Sequence, residues 1–592
     1  MSARILTVLC LSLALAEAHA QPAPTGATPA PAAQPAMPAA GEEAKPAPHE
    51  TPPDQQAWAE IGKITDGEKK IAALEQFKKD FPDSMYASVA DSQIFSTLVQ
   101  KMPEQKERIL KAARTMNAAA IARDKASSKE NVIVTTASRG STANRIAEQL
   151  LTSDAFLKDA ENYARKGVEA LRENVWIAER RESLVKNKRP IPSQQELARS
   201  FAEARASRIA TLGRVELKLG RTAEAQKLLQ ESYAITPSNL PVAVALGDLA
   251  VKAGDDAKAM DYLVAVRLSG RAPDSANQTF EALYKKGHNG SLDGLEAMLD
   301  TEYQKRFPNP VHAVAYKPTE KRSNRMVLAE VFTGSGCQPC AGADVAFDAA
   351  MERYARKDLA VAMYHVHIPR PDPMTTVETT ARSKNYGVNG VPTFAIDGKK
   401  TAGGGPREMA PEVFERFQKD LETDLETAAE AQVKVAAGLN HDTVKVSATV
   451  DGVKSESKDL KVQILLVEKE IRHLGENGVR FHPMVVRAFG GEKGAGYALS
   501  AGGNGMFEAS FDIEAIGKDI RKQLDEYEAK GHRGETFKFS AKKDQINRAG
   551  LAVIAFVQDD KTKHVLQAAY IDLGTGSGPR PASTEANGNN QE

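Results

Sequence analysis

The chain has little cysteine, few aromatic side chains and no net charge. Of its 592 residues 3 are cysteine and 6% are Phe, Trp or Tyr, while 78 Lys and Arg residues balance 78 Asp and Glu residues. So few cysteines exclude a framework of several disulfides. The balanced charge argues against a protein that holds nucleic acid or an acidic membrane surface through its overall charge. Beyond the N-terminal region, no apolar run approaches the roughly 18 residues that a membrane-spanning helix requires.

The first residues have the pattern of an export signal. Arg4 precedes an apolar run over residues 5–16, and Ala18-His19-Ala20 has the small-x-small pattern of a cleavage site. We therefore expect a signal peptide over residues 1–20 and a mature protein exported to the periplasm or the extracellular space. Residues 21–54 are dominated by Pro and Ala, a composition that predicts an extended linker.

Residues 55–315 show apolar side chains at three- and four-residue spacing, which predicts amphipathic helices. Five positions recur with a shift of 34 residues: Leu212, Gly213, Gly220, Ala225 and Leu229 become Leu246, Gly247, Gly254, Ala259 and Leu263. In this period the segment resembles the tetratricopeptide repeat family. The resemblance implies helical hairpins in which Gly and Ala allow close approach while Leu fills the groove, with a concave face that binds a peptide or protein. A purely structural array is the alternative.

Once the signal peptide is removed with Cys10, the remaining cysteines are Cys337 and Cys340. An apolar run and a Thr-Gly-Ser-Gly turn precede them and an Ala-rich segment follows, which predicts a strand, a tight turn and the start of a helix. We expect both cysteines in the first helical turn, where free N–H groups and the helix dipole stabilise a thiolate. A disulfide that closes so small a loop constrains the unfolded chain little. The sequence therefore predicts redox or metal chemistry.

A second motif, Gly390-Val391-Pro392-Thr393-Phe394, stands about 50 residues later, before a predicted strand that ends in an Asp-Gly turn. C-x-x-C after a strand, combined with G-V-P-T-F before a strand, resembles the thioredoxin family. The stretch E-V-F-T-G-S-G-C-Q-P-C-A-G-A-D is similar to a block of exported thioredoxin-like proteins. This resemblance implies a thioredoxin-like α/β domain over residues 316–430.

The resemblance also implies the roles of the residues around the sulfurs. Cys337 would be the exposed nucleophile and Cys340 the buried resolving thiol of a redox-active disulfide. Glu330, in the strand below the cysteines, resembles the buried carboxylate that accepts the proton of the resolving thiol. The alternative for Glu330 is a solvated residue at the edge of a sheet.

On the opposite side of the site, Pro392 matches the cis-proline of the family. The resemblance implies that Val391 pairs with a bound peptide as an added strand. Gly336, where thioredoxins usually carry an aromatic residue, and Thr393 complete the substrate-binding residues that it implies.

Two histidines end a predicted strand over residues 359–367. Because side chains alternate along a strand, His365 and His367 are expected on one face, close to the cysteine turn. A nearby imidazolium would lower the thiolate pKa. Alternatively, the thiolates and imidazoles would hold Cu(I) or Zn(II), or both histidines merely satisfy local hydrogen bonds. We expect no cofactor beyond the redox-active disulfide, with copper or zinc as the minor alternative.

The pattern changes again over residues 431–575, where about seven short β-rich runs and one helix over residues 514–530 predict a β-sandwich. A sandwich beside an exported thioredoxin-like domain is similar to certain outer-membrane-associated proteins. F-H-P-M-V-V-R-A-F-G-G, from Phe481, looks like a loop of those proteins. His482 in that stretch is a site candidate, with a buried structural histidine as the alternative. Residues 576–592 predict a disordered tail.

These observations predict a multidomain chain with an all-α helical repeat, an α/β thioredoxin-like domain and a mostly-β sandwich. We expect an exported thiol-disulfide oxidoreductase that exchanges disulfides with protein cysteines, and a helical array that recruits a client or redox partner. One alternative is a non-catalytic envelope scaffold that binds proteins. Another is a copper-handling protein that uses Cys337, Cys340 and His367. The client, the redox partner, the oligomeric state and the direction of exchange stay open.

Overall fold

The computed structural model describes residues 52–129 and 136–574. The predicted export signal, almost all of the predicted linker and the predicted tail lie outside these residues. The described chain divides between Ala90 and Asp91 into two compact units. The helical domain predicted over residues 55–315 is therefore divided between them.

The first unit contains α1 (Pro53–Gly62) and α2 (Gly67–Asp80). Asp66 caps α2, because its side chain accepts a hydrogen bond from the backbone N–H of Lys69. Trp58 stacks on Tyr86 with ring centroids 5.0 Å apart and meets Phe77 edge-on at 5.2 Å. An aromatic cluster thus holds the two helices together.

The next helix spans the boundary between the units, and the rest lie in the second unit. Their bounds are α3 (Ala87–Lys101), α4 (Lys106–Lys129), α5 (Thr136–Leu150), α6 (Leu157–Glu169), α7 (Glu173–Lys186), α8 (Gln194–Lys218), α9 (Thr222–Ile235), α10 (Leu240–Lys252), α11 (Asp256–Arg267), α12 (Asp274–Gly287) and α13 (Leu295–Arg306).

Two hairpins, α8–α9 and α10–α11, contain the residues of the 34-residue repeat. A β-carbon at Gly213 would lie 3.0 Å from Cγ of Leu229, and one at Gly247 would lie 2.9 Å from Cγ of Leu263. Both leucines are buried. Glycine inside these helices therefore allows the close contact with leucine that the sequence predicts.

A strand-helix-strand-helix-strand-strand-helix segment follows. Its elements are β1 (Val327–Thr333), α14 (Cys340–Arg353), β2 (Leu359–His365), α15 (Val377–Asn385), β3 (Thr393–Ile396), β4 (Lys399–Ala402) and α16 (Ala410–Glu426). β1 runs parallel to β2 and antiparallel to β3, which pairs antiparallel with β4. Asp397 and Gly398, with φ of 43° and 87°, form the tight turn between β3 and β4. The strand predicted to reach residue 367 ends at His365.

The last segment adds β5 (Gln432–Asn440), β6 (Thr443–Asp451), β7 (Leu460–Arg472), β8 (Phe481–Phe489), β9 (Tyr497–Ala498), β10 (Gly505–Asp512), α17 (Ile513–Lys530), β11 (Leu551–Asp559) and β12 (Val565–Asp572). β8 connects it to the preceding segment through a parallel bridge between Met363 of β2 and Val485. The result is one nine-stranded sheet with the order β12-β11-β7-β8-β2-β1-β3-β4, in which β9 also pairs with β7.

This sheet corrects the predicted division at residue 430 into a thioredoxin-like domain and a separate sandwich. The stretch interpreted as a loop from Phe481 is strand β8. Its Val485 and Val486 are both fully buried, because β8 lies inside the sheet with both faces covered. One of the seven β-rich runs counted in the sequence covers residues 536–540, and no strand forms there.

A second, three-stranded sheet with the order β10-β6-β5 packs on part of the large sheet. Val444 and Val446 of β6 share one buried apolar cluster with Val462 of β7 and Val553 of β11. Sheet-on-sheet packing is therefore present, although one of the two sheets continues into β1–β4. None of the helices in the described ranges has the length and apolar character needed to cross a membrane.

The glycine of the second hairpin gives a test of this packing. We expect Gly247→Val to destabilise α10 and α11 by roughly 1–3 kcal/mol, because the added side chain must displace buried Leu263. Hydrogen exchange of peptides from these two helices measures the loss. Gly287→Val is the matched control, since a β-carbon at Gly287 meets no described atom within 4 Å. Equal protection of α10–α11 in both variants would contradict the packing argument.

Candidate functional site

The two cysteines form a disulfide at the carboxyl end of β1. Helix α14 begins at Cys340 itself, directly after Pro339. Cys337 lies in the preceding turn, where its backbone N–H donates to the carbonyl of Gly334 at 3.0 Å. The prediction that both cysteines lie in the first helical turn is therefore right for Cys340 alone.

The peptide bond between Val391 and Pro392 is cis and faces the disulfide. The carbonyl oxygen of Val391 lies 3.5 Å from Sγ of Cys337. Gly404 fits tightly between the two motifs, since a β-carbon there would lie 2.4 Å from Cγ of Pro392 and 2.2 Å from the carbonyl oxygen of Pro339. The two motifs separated in the sequence thus meet at one place.

The resemblance implies that Thr393 contacts a substrate, but its side chain makes a local hydrogen bond. The residue is buried, and its hydroxyl donates to the carbonyl of Gly390 at 2.8 Å. Its side chain therefore stabilises the turn that carries Pro392.

The expectation that Cys337 is exposed is wrong. Cys337 is only 1% exposed, because residues 473–480, which join β7 to β8, lie over the cysteine turn. The backbone N–H of Asn477 donates to the carbonyl of Ser335 at 3.0 Å, and Nε2 of Gln338 donates to the carbonyl of Glu476 at 2.6 Å. We call residues 473–480 the covering loop. It comes from the C-terminal segment, which the sequence placed in another domain.

The helical region holds the covering loop in place. Arg480 is buried and donates to Asp300 at 2.7 Å and to Glu296 at 2.6 Å, both on α13. A β-carbon at Gly270, between α11 and α12, would lie 1.9 Å from the carbonyl oxygen of Gly475. The covering loop therefore contacts the helical region on one side and the cysteine turn on the other.

The resemblance aligns Gly336 with the position where thioredoxins usually carry an aromatic side chain. A β-carbon there would lie 2.8 Å from Cβ of Arg370, so a side chain at this position would collide with the arginine. Nε of Arg370 lies 3.3 Å from a carboxylate oxygen of Glu476 in the covering loop. The surface beside the disulfide, implied to bind a substrate, is thus covered by an arginine and its acidic partner.

Glu330 is fully buried, so its interpretation as a solvated edge residue is wrong. Its carboxylate accepts from Nε of Arg382 at 2.8 Å, from the hydroxyl of Tyr364 at 2.9 Å and from the hydroxyl of Tyr386. Burial and the charge of Glu330 raise the pKa of both tyrosines well above the usual value, which keeps them neutral donors.

The position of Glu330 also argues against the proton-accepting role that the resemblance implies. Thr333 contacts α14 through Asp344, and Glu330 lies three residues earlier on the same strand. Because side chains alternate along a strand, the two residues lie on opposite faces of β1. Glu330 therefore faces away from the helix that begins at Cys340.

Asp372 connects the end of β2 to the cysteine turn. Its Oδ2 accepts from the backbone N–H of Ser335 at 2.5 Å and lies 2.9 Å from Nδ1 of His365, while Oδ1 accepts from the N–H of Met374 at 2.8 Å. Burial alone would raise the pKa of Asp372, but His365 and these N–H donors hold it well below its usual range. Sequence reasoning missed Asp372, although an acid between two prolines, shortly after His365, was a signal.

His367 lies beyond β2, in the loop that follows. Its Nδ1 accepts the backbone N–H of Asp372 at 2.9 Å, and its ring packs on Tyr527 with centroids 3.9 Å apart. Burial lowers the pKa of His367 to about 4. The side chain is therefore neutral at pH 7 and supplies no imidazolium charge to the cysteines.

His365 is buried at the end of β2, and its ring meets that of His482 edge-on at 5.0 Å. Burial lowers the pKa of His482 well below its usual value. Within residues 52–129 and 136–574, no group of three or more His, Cys, Asp or Glu side chains is arranged to hold a metal ion.

Asp344, in α14, is a second acid that the sequence reasoning missed. It is buried, and its Oδ1 accepts from the hydroxyl of Thr333 at 2.7 Å. Burial raises the pKa of Asp344 to about 7, although His365 and Thr333 partly oppose the shift. Its spacing of four residues from Cys340 was the signal that could have found it.

Comparison with protein families matches the tetratricopeptide repeat to residues 216–282. The match runs from the end of α8 into α12, so the repeat predicted from the 34-residue spacing is confirmed there. A comparison with curated proteins found no match. Tetratricopeptide repeats commonly mediate protein binding.

Proposed function

We propose that this chain is a thioredoxin-like thiol-disulfide oxidoreductase that exchanges disulfides with protein cysteines. The observation that carries the proposal is the Cys337–Cys340 disulfide at the start of α14, with the carbonyl of Val391, before cis-Pro392, at 3.5 Å from Sγ of Cys337. The strand order β2-β1-β3-β4, with helices after β1, β2 and β4, supports the thioredoxin-like assignment. A start of a helix beside the sulfurs favours thiolate chemistry.

The proposed reaction begins from the disulfide. A client thiolate attacks Sγ of Cys337, the bond to Cys340 breaks, and the electron pair leaves on Sγ of Cys340, which takes up a proton. A second client thiolate then attacks the client sulfur of the mixed disulfide, and Cys337 leaves as a thiolate. Two electrons pass from the client dithiol to the cysteine pair, and a client disulfide forms. Once a reducing dithiol partner has reduced the cysteine pair, the same steps run in reverse with a client disulfide, which takes up the two electrons.

The other parts of the chain are assigned by the same proposal. The repeat matched at residues 216–282 supports a role in recruiting a client protein or a redox partner. The pattern of residues 1–20 supports export to the periplasm or the extracellular space, with association to the outer membrane as a further part of the proposal.

One observation favours a second candidate function. A disulfide with Cys337 only 1% exposed also suits a non-catalytic binding protein, in which the bond merely fixes the turn under the covering loop. The two candidates differ in the reactivity of the cysteine pair under native conditions.

The roles of the two cysteines can be separated by substitution. We expect the reduced protein to accelerate the reduction of insulin disulfides, and Cys337→Ser to bring the rate to the uncatalysed background. Cys340→Ser should stop at a mixed disulfide, since Cys337 attacks and no resolving thiol follows. Turbidity follows insulin reduction, and mass spectrometry detects the adduct. A wild-type pair that is inert towards client disulfides in the folded protein would favour the binding candidate.

The covering loop should limit access to the disulfide. We expect the reduction rate by dithiothreitol to level off at high concentration in the wild type, at the rate of loop opening. When residues 474–479 are replaced by an Asn-Gly turn, the reduction rate should stay proportional to the dithiothreitol concentration. It should also be roughly tenfold faster or more, because the two lost hydrogen bonds to the cysteine turn each contribute about 1 kcal/mol.

Glu476→Ala is the control for this measurement. It removes the partly exposed ion pair with Arg370 but keeps the backbone carbonyl that accepts from Gln338. Wild-type kinetics are expected for this variant. If the shortened variant also shows the wild-type rate, the loop does not control access.

A further inference from the structure

Asp344 lies one helical turn after the resolving cysteine. Residues four apart in a helix share a face, with β-carbons about 5–6 Å apart, and side chains point back towards the helix N-terminus. Asp344 and Cys340 therefore lie on one face of α14. Both residues are buried, with 3% and 0% of their surfaces exposed.

The carboxyl of Asp344 is only partly satisfied. Oδ1 accepts the hydroxyl of Thr333, but Oδ2 is buried and has no hydrogen-bond partner among the described residues. The charged groups that act on this carboxyl are His365 and Asp372, neither of them a Lys or an Arg. A buried acid without a Lys or Arg partner changes protonation state more easily than one held in such an ion pair.

The groups around Asp344 come from the adjoining elements. β1 contributes the neutral hydroxyl of Thr333, β2 contributes His365, and the loop after β2 contributes Asp372. Thr333 and His365 are register partners at the ends of β1 and β2. Burial outweighs the opposing effects of His365 and Thr333, so the pKa of Asp344 is raised to about 7. An acid with such a pKa is half ionised near neutral pH, where a proton-transfer group works best.

We propose that Asp344 exchanges a proton with the thiol of Cys340 during disulfide exchange, the role that sequence resemblance gave to Glu330. This inference rests on the proposed function. When a thiolate breaks the Cys337–Cys340 bond, protonated Asp344 donates its proton to Sγ of Cys340 as the electron pair arrives there. In the reverse step, the Asp344 carboxylate takes the proton from Cys340. The Cys340 thiolate then attacks Sγ of Cys337 in the mixed disulfide, and the client sulfur leaves with the electron pair.

The test uses the reduced protein without the predicted signal peptide, and therefore without Cys10. Its reaction with 5,5′-dithiobis(2-nitrobenzoate) is followed by stopped flow between pH 5.5 and pH 9, conditions chosen to span about 7 and the ordinary thiol pKa of about 8.5. Cys337 releases the first thionitrobenzoate and Cys340 the second. We expect the second phase of the wild type to accelerate with pH around 7. In Asp344→Asn it should be at least about tenfold slower at pH 7 and rise only with the ionisation of the thiol itself, while the first phase is unchanged.

Asp344→Glu and Thr333→Val complete the test. The glutamate variant keeps a carboxyl and should restore part of the second phase. Thr333→Val removes a hydrogen bond that lowers the pKa of Asp344, so the inflection should move to higher pH. This variant decides the question if Asp344→Asn does not fold, as judged by circular dichroism. A second phase with wild-type rate and pH profile in Asp344→Asn, or an unmoved inflection in Thr333→Val, would overturn the inference.

The test of Asp344 and the test of the proposed function can fail independently. Exchange with a protein disulfide is measured with insulin, whereas the role of Asp344 is read from the second phase with the small reagent. A protein that fails with insulin but shows the Asp344-dependent phase loses the proposed function and keeps the proton transfer. A protein that reduces insulin with a phase independent of Asp344 keeps the function and loses this inference.

Discussion

The arrangement around the disulfide depends on the buried charge pair of Glu330 and Arg382. A carboxylate and a guanidinium inside a sheet protein are tolerated only when each is paired and hydrogen-bonded. Arg382 lies in α15 and bonds to Glu330 of β1 and to Gln558 of β11, at 2.7 Å in the latter case. Tyr386, which follows α15, bonds to the same carboxylate and accepts from Gln558 at 2.9 Å. The chain then reaches cis-Pro392 within six residues. The network thus holds the start of the segment that leads to the proline facing Cys337. Gln558, from the last segment of the chain, is part of this network.

The burial of the disulfide follows from how the sheet is completed. β2 would otherwise present an open edge, with unpaired backbone groups that invite association. β8 covers this edge through the bridge between Met363 and Val485. The residues that lead into β8 are those of the covering loop, and buried Arg480 binds α13 immediately before the strand begins. The position of the loop over Cys337 is therefore set by strand pairing on one side and by the helical repeats on the other. The same covering loop thus limits access to the sulfur of Cys337 and contacts the repeat region. In the function that we propose, this contact connects the binding of a client to the opening of the site.

Local patterns in the sequence predicted most helices and strands. The features that they did not predict depend on contacts between residues far apart in the chain. The 34-residue repeat, the C-x-x-C turn and the strand after Pro392 depend on neighbours in the chain, so spacing alone identifies them. β8 was missed because its stretch was interpreted as a loop from a resemblance, and its pairing with β2 joins residues more than 100 positions apart. The burial of Cys337 depends on a loop just as distant, and Glu330 meets its partners only after the fold forms. Asp344 was visible beside Cys340, but nothing in the sequence states whether an acid at that position is buried.

Two buried acids on the two sides of β1 show how partners decide function. Glu330 has a guanidinium and two phenols around it, and its carboxylate joins β1, β2 and α15. Asp344 has one hydroxyl donor and an oxygen without a partner among the described residues, so burial dominates and raises its pKa to about 7. A carboxyl that is held by a guanidinium keeps its charge and its place in the fold, whereas one without a Lys or Arg partner can gain and lose a proton at neutral pH. For a thiol that must be deprotonated inside a closed site, the second kind of carboxyl is the one that serves the chemistry.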